Sequence, residues 1–334
     1  MNLYLFLIFV ISISFFLIFL CNRNAFLTNE GRDLHQQYAG HSDVPLIGGI
    51  IIFSSIVFSS FYSLNLILWY MAGIFLIGFF SDIKKINSPV IRFLFQLLLI
   101  IACVHSTNIT LTTTKIIFLD YLLNNHLFSI FFTSFCILII VNGSNFIDGI
   151  NSLTLGYYII VSVALLLLQN DGFQVSFNFP LSLLVSCLLI LYFLNLFNKL
   201  YLGDSGAYLL GFIFSIELIN LYLENIISPF FIILLLWYPA FENLFSILRK
   251  TNLKKSPIKP DTNHLHQLIF SYLKSKNYSL TKANNITGVS MNIYNGVIIL
   301  LAASNPTNTQ FQIILVLFSM LLYTFLYMRL FKYR

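Results

Sequence analysis

Apolar runs of about 17–20 residues, each long enough to cross a bilayer as an α-helix, follow one another along almost the whole chain. Eleven such helices are predicted, over about 3–21, 46–62, 65–81, 90–106, 126–142, 154–169, 179–197, 206–223, 228–247, 287–304 and 311–328. The fold class this implies is an all-α polytopic membrane protein. The first run lacks a small-residue cleavage site and leads into Asn22-Arg23-Asn24, so it is expected to persist as a helix. Polar sequence gathers in five stretches, near 22–45, 82–92, 143–153, 198–205 and 248–286. The connection at about 107–125 begins Thr-rich, continues through Lys115 to Asp120, and is expected to hold a strand pair or an interfacial turn. No repeat and no soluble module stands out, so 1–334 reads as one integral-membrane domain.

Charge orients these helices. If the N-terminus lies outside and the loops alternate, 17 of the 18 lysines and arginines fall on one side and only Lys115 on the other. Such a partition fits the positive-inside rule, puts the C-terminus in the cytoplasm and supports the count, because one missed or extra helix would scramble it. The chain is 58% hydrophobic and 9% charged, with a mean hydropathy of +0.86. Its pI near 9.0 therefore does not point to nucleic acid. Much of the positive charge lies in 249–282, where it faces anionic headgroups and can attract an anionic substrate. Cys21, Cys103, Cys136 and Cys187 are scattered without C-x-x-C spacing, which suggests neither a disulfide framework nor a zinc site.

On this topology all the unusual polar clusters share the cytoplasmic face. In Val44-Pro-Leu-Ile-Gly-Gly-Ile50, Gly48 and Gly49 permit close approach of backbone or substrate, although helix packing through small residues explains the pair as well. Asp82 closes a span just before Lys84 and Lys85, against the helix macrodipole, so it is either an interfacial ion pair with Lys85 or a functional carboxylate. Asn142, Asn145, Asp148 and Asn151 recur every third residue, which in a helix lays them along one slowly drifting face. Amide and carboxylate oxygens of this kind suit a hard cation or the hydroxyls of a nucleotide. Asp204 lies between Gly203 and Gly206, read either as a helix-capping turn or as a metal-held diphosphate site. His264 and His266 are two apart and need an extended setting to meet one ligand; in isolation such a pair is usually solvated. Ionisable groups beside hydrocarbon default to function. Oxygen ligands without thiolates point to Mg²⁺, with Mn²⁺ as a second choice, in phosphoryl transfer at a membrane-embedded site with a lipid substrate.

These motifs resemble the polyprenyl-phosphate N-acetylhexosamine-1-phosphate transferases of glycosyltransferase family 4, whose relatives include the phospho-MurNAc-pentapeptide transferases. Pro45-Leu-Ile-Gly-Gly49 resembles P-x-x-G-G, and Gly78 to Gln96 resembles the G-x-x-D-D segment with Pro89, Arg92 and Gln96 following. Asn142 to Leu153 resembles N-x-x-N-x-x-D-G-x-x-x-L, Leu202-Gly-Asp-Ser-Gly206 resembles G-D-x-G, and Asp261-Thr-Asn-His-Leu-His266 resembles D-x-x-H-L-H-H. The five occur in family order over about 40–270.

The resemblance implies that Asn145 and Asp204 bind Mg²⁺ on the donor diphosphate. Asp82, Asp148, Asp204, His264 and His266 would form the catalytic set, and Gly48, Gly49, Lys84, Lys85, Asn142 and Asn151 would bind substrate. It further implies transfer of HexNAc-1-phosphate from a UDP-sugar to polyprenyl (undecaprenyl) phosphate, giving a lipid-linked diphosphate sugar and UMP. That step would initiate cell-surface glycan synthesis at the cytoplasmic face of a bacterial inner membrane. A homodimer stays open. Two alternatives are a phospho-MurNAc-pentapeptide transferase and, from another class, an ion-coupled transporter, whose acids would sit near mid-membrane. Four departures stand out: Ser81 replaces the first acid of the usual Asp pair, Asn151 a second Asp and Gln267 a third His, and His41 is one residue too close to Pro45 to take the family histidine's role.

Overall fold

A computed structural model describes residues 2–24, 27, 44–60, 65–175, 177–254, 256 and 262–333. His41, Asp261 and most of the 22–45 stretch lie outside the described residues. The described residues form fourteen α-helices: α1 Leu3–Asn24, α2 Gly48–Ser59, α3 Leu66–Asp82, α4 Pro89–Thr107, α5 Ile117–Leu123, α6 His126–Ile147, α7 Leu153–Asn170, α8 Leu181–Leu196, α9 Gly203–Glu224, α10 Pro229–Leu235, α11 Trp237–Asn252, α12 Leu265–Ser275, α13 Leu280–Ala303 and α14 Thr309–Leu330. No strand occurs among them, only a single parallel bridge between Leu46 and Tyr201.

The chain is an all-α polytopic membrane protein. Seven helices, α1, α4, α6, α7, α9, α13 and α14, are long and apolar enough to cross a bilayer. The pair α10 and α11 passes together but bends by 81°, and α2, α3 and α8 are shorter apolar helices. Each predicted run thus falls on a helix, or at 228–247 on the bent pair. The bend has a local cause. Pro239 lacks the N–H that would reach the Leu235 carbonyl, and Tyr157 Oη donates to that carbonyl instead at 2.9 Å.

Helix starts follow their caps. Asn65, Ser88, Asn125, Ser279 and Asn308 each accept from an N–H three residues on, and Pro89 takes the first position of α4, where no N–H is needed. Inside the apolar segments Ser14, Ser55, Ser162 and Thr287 return their hydroxyls to the carbonyl four residues back. The 107–125 connection holds a turn and no strand pair. It carries α5, with Ile117, Phe118 and Tyr121 exposed, after a turn in which Thr114 N and Oγ1 donate to Asp120 Oδ1 at 2.6 and 2.7 Å.

Helix α9 is the central post: every residue from Gly203 to Ile219 is buried. It packs on α2, α3 and α6, while α6 also carries α4 and α11. At one end of the bundle Tyr222 Oη donates to the Thr113 carbonyl and Ser129 Oγ to that of Leu111, so α6 begins where α9 ends. The two helices are therefore antiparallel, and the C-terminal end of α6 meets the N-terminal end of α9.

Candidate active site

The N-terminus of α9 is assembled by groups from three other helices. Gly203 adopts φ +76°, a left-handed turn that glycine makes without strain, and starts the helix one residue before Asp204. Asp204 thus lies in the first turn of α9, not in the loop expected over 198–205. Asp82, the last residue of α3, accepts from Asp204 N at 2.9 Å through Oδ1, and from Ser205 N at 3.1 Å and Ser205 Oγ at 2.7 Å through Oδ2. Both of its oxygens cap α9 from outside. This resolves the electrostatic puzzle of the sequence: the dipole of α3 opposes Asp82, but the first amides of α9 reward it.

Asp204 is itself held. Arg92 Nη1, from α4, lies 2.7 Å from its Oδ2, and Ser81 Oγ donates to the same oxygen at 2.5 Å. Arg92 Nη1 also reaches Ser81 Oγ at 2.5 Å. Ser81 therefore donates to Asp204 where an acid at that position would set a like charge against it.

The glycine pair is used for packing. Gly48 N and Gly49 N donate to the Tyr201 and Leu202 carbonyls, both at 3.0 Å. A Cβ on Gly49 would come within 2.4 Å of Gly206 N and Ser205 Oγ. The substrate approach expected of Gly48 and Gly49 is thus answered by protein backbone. Lys84 and Lys85 are exposed just past α3, with Lys84 in a left-handed turn at φ 59°.

The Asn/Asp series divides. Asn142 and Asn145 lie within α6, which runs to Ile147 and so takes in much of the loop expected at 143–153, and Asp148 caps its C-terminus. The shared face ends there, because α6 stops at Ile147 and the chain passes through turns before Asn151, with Ser152 left-handed at φ 62°. Asn142 Nδ2 donates to Gln96 Oε1 at 3.0 Å. Gly211 on α9 faces Val141 and Ser144, so in the antiparallel register Asp148 is level with the first turn of α9 and Asn145 about one turn deeper. Asn151 is buried, with Nδ2 on Asn198 Oδ1 at 2.6 Å and its backbone N on Asn284 Oδ1 at 2.8 Å. At this position the side-chain amide ties the loop to the turn after α8, and the backbone N–H ties it to α13.

The histidines are not solvated. His264 precedes α12 and His266 lies in its first turn; both are buried, with their rings 5.5 Å apart and within 4° of parallel. Phe146 of α6 lies 5.2 Å from the His264 ring. What orients the pair is Glu242 on α11, a residue the motif reading overlooks. His264 Nδ1 is 2.8 Å from Glu242 Oε2, and Leu265 N donates to Oε1 at 3.0 Å. Tyr238 Oη donates to Oε1 at 3.0 Å and lies 3.0 Å from His266 Nδ1. The overlooked signal was an acid inside an apolar run. Gln267 closes a capping box by accepting from His264 N at 3.1 Å, so it supports the histidines from the position of the missing one. A second overlooked acid, Glu217, sits toward the other end of α9, where it accepts from Asn178 Nδ2 at 2.8 Å.

Residues 64–222 match the model of glycosyl transferase family 4. This stretch includes Asp82, Arg92, Asn145, Asp148 and Asp204. Over this stretch, just under half of the chain, the protein is similar to glycosyl transferase family 4. The chain is 29% identical to a probable undecaprenyl-phosphate N-acetylglucosaminyl 1-phosphate transferase of Bacillus subtilis, over 69% of this chain and 66% of that protein. It is 28% identical to an undecaprenyl-phosphate alpha-N-acetylglucosaminyl 1-phosphate transferase of Salmonella typhi, over 68% and 65% respectively. A decaprenyl-phosphate N-acetylglucosaminephosphotransferase of Mycolicibacterium smegmatis is 29% identical over 38% of this chain and 37% of that protein. The chain thus spans just under two thirds of the length of the first two relatives.

Among the described residues no three His, Cys, Asp or Glu side chains gather as a metal cage. The oxygens of Asp204, Asn145 and Asp148 still suit a hard cation that keeps few protein ligands and completes its shell with phosphate and water.

Proposed function

We propose that this chain transfers HexNAc-1-phosphate from a UDP-sugar to a polyprenyl phosphate, releasing UMP. The observation that carries the reading is Asp204 in the first turn of α9, capped by Asp82 and paired with Arg92 within the family-matched stretch. N-acetylglucosamine is the first donor sugar to test, because the relatives' names specify it. In this reading the site faces the cytoplasm of a bacterial inner membrane, which the distribution of basic residues supports.

Asp204 and Asn145 would hold Mg²⁺, with Asp148 beside them; when bound, the cation neutralises charge on the donor diphosphate. The chain's own residues do the rest. A phosphate oxygen of the acceptor bonds to the β-phosphorus of the donor as the bond from that phosphorus to the bridging oxygen breaks, and UMP leaves. An acceptor phosphate is already anionic at neutral pH, so no side chain has to remove a proton. Arg92, Lys84 and Lys85 supply positive charge near the phosphates, and the N-terminus of α9 adds its amides. His264 and His266 would orient the donor. Asp82, with both oxygens on α9, acts by positioning Asp204.

The test is transfer by purified protein from radiolabelled UDP-GlcNAc, and a panel of other UDP-sugars, to undecaprenyl phosphate. Lipid-linked label and UMP are expected, with chelator abolishing both. Asp204→Asn should lower turnover by about 100-fold or more. No transfer from any UDP-sugar, or near-normal turnover by Asp204→Asn, would overturn the reading or this residue's part in it.

A further inference from the structure

The carboxylate best placed to hold a cation already has one. Arg92 Nη1 is 2.7 Å from Asp204 Oδ2, and the side chains are only 19% and 10% exposed. Ser81 Oγ braces both partners at 2.5 Å. The charge of Asp82 is directed into the amides of α9. Asp204 and Arg92 therefore sum to no net charge. A divalent cation arriving alone at Asp204 would meet a guanidinium on the same oxygen, in a setting where water screens little. Breaking a largely buried pair without replacing the lost partner is costly.

A diphosphate changes that balance. Guanidinium groups bind phosphate through two parallel N–H bonds, more strongly and with better geometry than they bind a single carboxylate oxygen. We infer that Arg92 is an exchange residue, which occupies Asp204 while the site is empty and passes to the donor diphosphate on loading, so that cation and diphosphate enter together and not separately. The inference rests on the reading of this end of α9 as a metal–diphosphate site. Ser81 belongs to the device: a hydroxyl can hold Arg92 at Asp204 without adding a competing charge, whereas an acid at 81 would draw Arg92 away. By linkage, the nucleotide must then strengthen cation binding by the same factor as the cation strengthens nucleotide binding.

The test needs no turnover. Mn²⁺ binding to the full chain in nanodiscs is measured by electron paramagnetic resonance, with the metal alone and with saturating UDP-GlcNAc, in the absence of acceptor. Wild type should bind Mn²⁺ weakly alone and about ten-fold or more tightly with UDP-GlcNAc. Arg92→Leu should bind Mn²⁺ alone more tightly than wild type and lose most of the coupling. Arg92→Lys keeps the charge and should keep metal-alone binding weak; Ser81→Ala, which only loosens the brace, should fall between wild type and Arg92→Leu. Equal Mn²⁺ affinity with and without nucleotide in wild type would overturn the inference. So would unchanged metal-alone binding in both Arg92→Leu and Ser81→Ala while the nucleotide-loaded complex persists, and that result would leave the metal–diphosphate reading standing. No Mn²⁺ bound by wild type under any condition would overturn both.

Discussion

At the scale of single residues, the site separates groups that face a ligand from groups that hold those groups in place. Asp82 is of the second kind, because both of its carboxylate oxygens accept from the first turn of α9. In Asp82→Asn one acceptor oxygen becomes an NH₂ that faces N–H and O–H donors. Loss of a cap of this type costs about 1–2 kcal/mol, and here the displaced turn carries Asp204. Asp82→Asn should therefore lower both the thermal midpoint of the purified protein and its transfer rate. Ser81→Ala, which leaves the Asp82 cap in place and only loosens the Arg92–Asp204 pair, should retain most activity. Equal losses in the two variants would remove the positioning role. The sequence marked Asp82 and Asp204 correctly as unusual, since acids at the edge of hydrocarbon demand a reason. It did not disclose that the two acids serve each other. That knowledge requires α3 and α9 to be neighbours, 122 residues apart along the chain.

At the scale of elements, the break between α10 and α11 decides how the histidines are presented. The apolar run over 228–247 predicted one straight span, and hydropathy alone carries no signal of an 81° bend. Pro239 was the local clue, and its effect is seen only with Tyr157 donating to Leu235. α11 brings Glu242 under the start of α12, where one buried carboxylate takes up His264 Nδ1 directly and approaches His266 through Tyr238. Taken in isolation the H-x-H pair reads as solvated, because its partner lies 22 residues upstream. Glu242→Gln should preserve the volume yet mis-set both rings, because an amide presents a donor where only acceptors serve. Transfer should fall markedly while protein yield in the membrane is retained; Tyr238→Phe, which touches only the His266 branch, should lose less. Glu242→Ala should also destabilise the fold, by about 3 kcal/mol. A Glu242→Gln protein with wild-type turnover and wild-type KM for UDP-GlcNAc would show that the histidines do not depend on this carboxylate.

At the scale of the whole molecule, the site is one end of a bundle. The end of α3, the end of α6 and the starts of α9 and α12 meet there, while Thr113, Tyr222 and Lys115 belong to the opposite end. The alternation read from the basic residues predicted the same segregation, so the gathering of motifs at one end was legible before the packing was known. Which end faces the cytoplasm is set by charge, and it decides whether a nucleotide-activated donor can reach Asp204. Single cysteines at exposed positions provide the measurement. Cys21, Cys103 and Cys187 are buried and Cys136 is half-buried, which keeps the background to maleimide labelling low. Lys115→Cys should label with an impermeant reagent on intact cells. Lys85→Cys, Lys199→Cys and Lys274→Cys, all exposed in the structure, should label only after the membrane is opened. Lys85 and Lys199 flank α3 and α9 and Lys274 lies in the last turn of α12, so together they report on more than one loop. Labelling of Lys85→Cys and Lys199→Cys from outside would turn the bundle over and separate Asp204 from the nucleotide pool. The proposed donor could not survive that result, because a UDP-sugar made in the cytoplasm would reach the wrong face.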